Sequence, residues 1–278
     1  MSAGCVACIL AALNNSASIK RVSMPLDLLK RLGLKARGGM SALELGLVQA
    51  ARNYDARGLW LEFGVYKGGS IKKIRNARSH LDNNLLSSSS SYSVRPSTTV
   101  FGFDSFIGLP ETWRKAGLST SNPSRIDRLF LRQGAFSMNG KAPFNASGVE
   151  WVVGLFNDTL PGFLSRHLSH AQFVHIDSDL YSSAKFVLML LMVMKRFRSG
   201  TVIVFDELIN YPEFMDGEIK ALCELISLSG YKLGVLGTSA SIVLPSASSI
   251  RERVKAQKQG RETPHYGLYR QDAAFVLR

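Results

Sequence analysis

Cysteine is scarce in this chain, and its few copies support neither a disulfide framework nor a zinc site. The 278 residues contain three cysteines, at positions 5, 8 and 223, which is too few to staple a secreted fold. Cys5 and Cys8 form a C-x-x-C pair, but no second pair of cysteines or histidines completes a tetrahedral site. The cysteines therefore predict a reducing compartment, with the first two as reduced thiols in a frayed N-terminus.

Long apolar runs are also missing. No stretch of about 18 consecutive apolar residues occurs, so the sequence predicts no transmembrane helix. The longest apolar run, 186–194, suits a buried helix. A composition of 46% hydrophobic and 20% charged residues is that of an ordinary globular protein and excludes disordered or collagen-like classes for most of the length. We expect one large α/β domain in a cytoplasmic protein.

Acidic residues are few compared with basic ones. The chain has 21 Asp and Glu against 34 Lys and Arg, a net charge of +13, which permits an anionic partner such as nucleic acid. The basic residues do not form one stripe, and few aromatic residues lie among them to stack on bases. They gather in five separate places: 20–21, 30–37, 125–132, 195–198 and 251–261. We interpret them mainly as solvated surface, and a nucleic-acid partner is the less favoured alternative.

Residues 1–40 form a basic N-terminal extension that differs from the rest of the chain. An apolar patch at 5–13 precedes the basic residues, the reverse of the order in a secretory signal. A cap helix and an organelle-targeting segment both fit this pattern, and the sequence leaves the two open. Residues 41–278 are patterned as a single domain. Two insertions interrupt it, a low-complexity segment at 82–99, expected to be an irregular loop, and a basic segment at 250–265.

Short apolar strands alternate with helices through this domain. The pattern predicts strands at 59–64, 100–103, 149–153, 173–176, 201–205 and 231–236, with short further candidates at 241–244 and 273–277. Such alternation is typical of a mostly parallel sheet covered by helices on both faces. Ligands bind such sheets beyond the carboxyl ends of the strands. Acidic residues follow three of the predicted strands: Asp104; Asp177 and Asp179; Asp206 and Glu207.

The first predicted strand leads through a glycine-rich loop, 64–69, into a helix predicted at 70–80. Glycine permits positive φ angles and a close approach of the backbone to a ligand, and the helix N-terminus offers unpaired N–H groups. The loop matches neither the dinucleotide fingerprint nor the phosphate-binding loop, but it can hold an amino-acid carboxylate. Asp104, at the end of the second strand, is placed to bind the hydroxyls of a ribose.

Four segments resemble the macrocin O-methyltransferase family of class I methyltransferases. They are 60–70 (WLEFGVYKGGS), 101–111 (FGFDSFIGLPE), 175–183 (HIDSDLYSS) and 204–207 (VFDE). The resemblance extends in the same order from about residue 56 to 236. It implies a Rossmann-like class I methyltransferase fold, with a seven-stranded, mostly parallel sheet and an antiparallel last strand. It also implies S-adenosylmethionine as the cofactor.

The resemblance carries cofactor roles over to single residues. Those implied for the methionine part are Glu62, Gly64, Gly68 and Ser70, and those for the adenosine part are Asp104, Ser105 and Phe106. Glu62 would lie behind the loop near the cofactor's amine. Asp104 would bind the ribose, with Ser105 and Phe106 flanking the adenine.

The family also implies a Mg²⁺ ion, and the acids after the fourth and fifth strands offer the oxygen ligands that this ion prefers. The candidates are Asp177, Asp179, Asp206 and Glu207. Glu207 stands where the family usually has a second aspartate. Any one of these acids alone is more often a helix cap. Asp179 is the first candidate for the base that takes a proton from the acceptor, and His175 is the second.

The sequence thus predicts an S-adenosylmethionine-dependent O-methyltransferase that uses Mg²⁺ and methylates a hydroxyl of a small molecule, of sugar or phenol type. Two alternatives stay open, a nucleic-acid methyltransferase and a non-catalytic cofactor-binding protein. The sequence names neither the acceptor nor the oligomeric state, and a homo-oligomer is one outcome.

Overall fold

A computed structural model describes most of the chain. The residues it describes are 3–17, 29–30, 32–34, 40–88, 99–113, 131–211, 214–238 and 271–278. The strand predicted at 241–244 and the basic insertion at 250–265 lie outside them. None of the helices in the described part of the chain has both the length and the apolar character that crossing a lipid bilayer requires.

Seven strands form one sheet. They are β1 (Leu59–Phe63), β2 (Val100–Asp104), β3 (Val149–Val153), β4 (Ala171–Ile176), β5 (Val202–Phe205), β6 (Leu233–Thr238) and β7 (Ala273–Leu277). Their spatial order is β3-β2-β1-β4-β5-β7-β6. The first five are parallel, and β7 runs antiparallel to both of its neighbours. The mostly parallel sheet with an antiparallel last strand is therefore confirmed.

Helices cover both faces of the sheet. They are α1 (Ala3–Ala17), α2 (Ala42–Arg52), α3 (Gly69–Ser88), α4 (Phe156–Arg166), α5 (Tyr181–Val193) and α6 (Glu218–Ser229). Residues of α2 and α3 pack around Trp60 and Phe173 on one face, and residues of the other four helices pack around Phe63 and Phe103 on the opposite face. Because both faces are covered, β1, β4 and β5 are buried at every position.

Helix α3 continues further than the sequence predicts. The expectation of an irregular loop is wrong for residues 82–88, which are helical. Asp82 is fully buried, accepts a hydrogen bond from the Tyr54 hydroxyl, and lies 3.8 Å from the guanidinium of Arg78. These buried partners stabilise the polar side chain of Asp82 within the helix. The remainder of the predicted insertion, 89–98, lies outside the described residues.

Helix α1 belongs to the folded core, so the expectation of a frayed N-terminus is wrong for residues 3–17. It packs against β6 and α6, and its buried apolar face joins the larger core cluster with Val6, Ile9, Leu10 and Leu13. Cys5 is half-buried, and its thiol donates to the backbone carbonyl of Cys223 at 3.9 Å. A targeting role for residues 1–40 stays a prediction.

Candidate functional site

The order of the strands reverses between β1 and β4, and such a switch point opens a crevice at the carboxyl edge of a parallel sheet. A cavity of about 480 Å³ occupies this crevice. Its walls come from the glycine loop after β1, from the segments after β2 and β3, and from the polar turns after β4 and β5. The cavity therefore collects the ends of five neighbouring strands.

Hydrogen bonds to Asp104 hold the glycine loop at the end of β2. Its Oδ2 accepts hydrogen bonds from the backbone N–H groups of Val65 and Tyr66, at 2.8 and 2.9 Å, and its Oδ1 accepts one from Phe106 at 2.7 Å. The carboxylate is half-buried on the cavity wall. Since each carboxylate oxygen accepts about two hydrogen bonds, Oδ1 can also accept one from a ribose hydroxyl. The contacts of Asp104 with the loop were not predicted from the sequence.

Two glycines of the loop lie where no side chain fits. Gly64 has a φ of +88°, and a Cβ there would lie 1.7 Å from the carbonyl oxygen of Asp177. Gly68 has a φ of +75°, and a Cβ there would lie 2.4 Å from the ring of Phe144. At Gly64, the loop is therefore packed directly against the turn after β4. Gly64 lines the cavity, whereas Gly68 and Ser70 lie behind the wall at the start of α3.

Three carboxylates meet on the far side of the cavity. One oxygen each from Asp177, Asp206 and Glu207 lies within 4.8 Å of the others. Burial, together with the nearby acids, raises the pKa of both Asp177 and Glu207 well above its ordinary value. Glu207 Oε2 is buried and has no hydrogen-bond partner among the described residues. An all-oxygen set of crowded acids with an unsatisfied buried oxygen fits a divalent cation such as Mg²⁺.

Asp179, predicted from the sequence as a metal ligand, lies outside this group of three. It lines the same cavity, is 7% exposed, and has a φ of +62°. That left-handed conformation is one that aspartate adopts more readily than most residues. Its charge contributes to the raised pKa of Asp177 and Glu207. The structure therefore places Asp179 on the cavity wall beside the three carboxylates.

His175 and Glu62 form a buried pair behind the glycine loop. They are register partners on β4 and β1, and His175 Nδ1 lies 2.8 Å from Glu62 Oε1. Burial lowers the pKa of His175, but the hydrogen bond and the charge of Glu62 more than offset it, so the pKa is raised. Neither side chain lines the cavity. This placement does not support His175 as the base, and it gives Glu62 a partner in the core.

The predicted adenine-flanking residues separate in the structure. Ser105 lines the cavity, whereas Phe106 is 1% exposed and packs edge-to-face on Trp151, with ring centroids 5.9 Å apart. The structure therefore does not bring Phe106 to the cavity. Leu155 and Phe156, which follow β3, line the same cavity as Ser105. They were not predicted from the sequence, although their place after a predicted strand was a signal that could have found them.

Comparison with known protein families identifies one that matches most of the chain. The model of the family described as Macrocin-O-methyltransferase (TylF) matches residues 37–217, more than half of the chain, and the match includes both the glycine loop and the three carboxylates. No curated protein matches the chain.

Several solved structures resemble the fold at low identity. The calicheamicin methyltransferase CalS11 is 19% identical, with a TM-score of 0.48, over 95% of this chain and 83% of its own. The O-methyltransferase NovP is 17% identical, with a TM-score of 0.44, over 84% of this chain and 94% of its own. An O-methyltransferase from Bacillus cereus, in complex with SAH, is 13% identical, with a TM-score of 0.41, over 98% and 99%.

Proposed function

Because the chain belongs to the macrocin O-methyltransferase family, and is therefore an S-adenosylmethionine-dependent methyltransferase, we propose that it methylates a hydroxyl of a small molecule with the help of Mg²⁺. One observation carries the proposal. A single cavity joins the glycine loop and Asp104 to Asp177, Asp206 and Glu207. Methyl transfer is a displacement that requires the acceptor oxygen and the methyl carbon in close, aligned contact, and a shared cavity allows the two ligands to lie side by side.

On the cofactor side of the cavity, hydrogen bonds to Asp104 hold the backbone of the glycine loop in place. S-adenosylmethionine, when bound, supplies an electrophilic methyl group on its sulfonium. Asp104 accepts hydrogen bonds from the ribose while it holds the loop amides of Val65 and Tyr66 in place. The apolar walls at Leu155 and Phe156 suit the adenine.

The acceptor side of the cavity is acidic. We assign Asp177, Asp206 and Glu207 as the residues that hold Mg²⁺, an ion that, when bound, favours the ionised form of a nearby hydroxyl. Asp179, on the adjoining wall, accepts the proton from that hydroxyl. Glu207 is longer than the aspartate usual in the family, yet its carboxylate still joins the other two.

The acidic lining of the cavity favours a small acceptor over a nucleic acid. The carboxylates of Asp177, Asp206 and Glu207 line the acceptor side and would repel the phosphates of a nucleic acid. A sugar and a phenol both offer the hydroxyl that this chemistry requires, and we propose an acceptor of one of these two types. The excess positive charge is dispersed over separate segments of the sequence rather than gathered at this acidic site.

The matched pair Asp206→Asn and Asp216→Asn tests the proposal. Asp206 belongs to the carboxylate group, whereas Asp216 is an exposed acid of the same segment that does not line the cavity. Calorimetry should show that Asp206→Asn keeps the affinity for S-adenosylmethionine and loses the response to Mg²⁺ by at least about tenfold. Asp216→Asn should match the wild type in both, and in methyl transfer to a panel of sugars and phenols.

Two results would contradict the proposal. One is a wild-type protein whose binding and methyl transfer ignore Mg²⁺. The other is an Asp206→Asn variant that responds to the ion as the wild type does.

A further inference from the structure

Glu218 is a buried carboxylate that does not line the cavity. It is the first residue of α6 and is 0% exposed. Its Oε1 accepts hydrogen bonds from the hydroxyl and the backbone N–H of Ser178, at 3.0 and 3.4 Å, while its Oε2 is buried without a hydrogen-bond partner in the described part of the chain. A buried, half-satisfied carboxylate destabilises a fold, so a purely structural position would favour a neutral side chain.

The partner of Glu218 lies at the centre of the site. Ser178 separates Asp177, one of the three grouped carboxylates, from Asp179 on the cavity wall. The Asp177 N–H donates to the carbonyl of Phe63 at 2.8 Å, which holds the turn from the side of β1. Glu218 holds the same turn from the side of α6. The left-handed backbone of Asp179 is a conformation that persists where its surroundings fix it, and these bonds are part of that restraint.

The start of α6 is itself fixed in place. A Cβ on Gly217, the residue before Glu218, would lie 1.9 Å from the hydroxyl oxygen of Tyr211, so the helix begins in close contact with that ring. An acid in the first helical turn is also favoured by the helix dipole. Glu218 therefore reaches Ser178 from a closely packed helix start.

We propose that Glu218 is a positioning residue: through Ser178 it holds the turn 177–179 so that the Asp177 carboxylate faces Asp206 and Glu207. The inference rests on the proposed function, because it treats those three acids as the Mg²⁺ ligands. Glu218 acts through a hydrogen bond, so an uncharged acceptor of the same length can replace it. Its loss weakens the metal side of the cavity and leaves the cofactor side, held by Asp104, unchanged.

Two variants of Glu218 separate the hydrogen bond from packing. Glu218→Gln keeps an acceptor oxygen, and Glu218→Met removes it at similar length. Calorimetry should show that Glu218→Met binds Mg²⁺ about 10- to 100-fold more weakly than the wild type, as expected when a group that orients a ligand is lost. Glu218→Gln should retain most of the wild-type affinity for Mg²⁺. The affinity for S-adenosylmethionine should be unchanged in both variants. Glu224→Gln, on the same helix but away from the cavity, is the control. A folded Glu218→Met that binds Mg²⁺ like the wild type would overturn the inference.

Amide exchange distinguishes this inference from the proposed metal site. If the wild type binds no Mg²⁺, the metal part of the proposed function fails, and the positioning role is still read from exchange at 177–180. We expect faster exchange there in Glu218→Met than in Glu218→Gln, and equal rates would overturn the role. If Glu218→Met does not fold, Ser178→Ala provides a second test, because it removes only the hydrogen bond from the Ser178 hydroxyl to Glu218. Unchanged Mg²⁺ affinity and unchanged amide exchange in Ser178→Ala would also overturn the inference.

Discussion

The Asp104 carboxylate accepts most of its possible hydrogen bonds from the protein's own backbone. Both oxygens accept N–H groups, two from the glycine loop and one from the turn after β2. A charged acceptor that satisfies several amides at once forms stronger bonds than a neutral one. The residue therefore shapes the loop as well as contacting a ribose, so its loss affects the cofactor in two ways.

We expect Asp104→Ala to weaken S-adenosylmethionine binding by about 10- to 100-fold, the loss that follows from one hydrogen bond to a charged group. Titration calorimetry measures it. Glu150→Ala removes an exposed acid from the neighbouring strand β3 and should leave the affinity unchanged. Wild-type affinity in Asp104→Ala would remove the ribose assignment.

Single residues show where prediction from the sequence stops. Asp177, Asp206 and Glu207 were predictable as neighbours, because each follows a strand of one parallel sheet. The pairing of His175 with Glu62 was not, because it depends on the register of β4 against β1. The burial of Phe106 against Trp151 also depends on packing between distant segments.

Among the secondary-structure elements, the β1 loop and the turn after β4 are in contact where the two halves of the cavity meet. Gly64 makes that contact, with the carbonyl of Asp177 in the space that a side chain would need. The glycine loop carries the cofactor contacts, and the turn carries the acids. A change at Gly64 therefore reaches both.

The pair Gly64→Ala and Gly69→Ala tests the importance of this contact. Gly64→Ala combines an unfavourable φ with a backbone clash and should lower the free energy of unfolding by more than about 2 kcal/mol, with loss of both cofactor and Mg²⁺ binding. A Cβ at Gly69 meets nothing within 4 Å, so Gly69→Ala should behave like the wild type. Urea denaturation and calorimetry measure the two effects. Binding of either ligand at wild-type affinity in Gly64→Ala would show that this contact does not affect both halves of the cavity.

Most strands were predictable because they are short, buried and apolar. Helix α4 was missed, since Pro161 lies inside it and Gly162 follows, and both residues disfavour helices. Its buried face, with Leu160, Phe163 and Leu164, stabilises it through packing against the sheet. Long-range packing of this kind cannot be read from local sequence.

Over the whole molecule, the chain is strongly basic while its cavity concentrates acids. The net charge is +13, yet burial and like charges raise the pKa of Asp177, Glu207 and Glu218. The folded protein thus holds protons on these acids more tightly than the unfolded chain does. In the absence of Mg²⁺, the three acids therefore contribute less to the free energy of unfolding as the pH rises. The decrease begins above the pKa values of the unfolded chain and continues up to the raised pKa values of the folded protein.

Stabilisation by Mg²⁺ should follow the opposite trend. The ion needs ionised carboxylates, so the rise in melting temperature on adding Mg²⁺ should be larger at about pH 8 than at about pH 5. Thermal unfolding with and without the ion measures this. Asp206→Asn should show no rise at either pH, and an equal rise at both pH values in the wild type would contradict the assignment of these acids.

Strand β7 follows every other strand in the sequence, yet it lies between β5 and β6, and all five of its residues are buried. Until it inserts, β5 and the inner side of β6 both present unpaired backbone groups, which readily recruit strands from other molecules. Its insertion joins residues far apart in the chain, and such long-range pairing is slow. We therefore expect aggregation to compete with the insertion of β7 during refolding, and dilution of the protein should improve the yield.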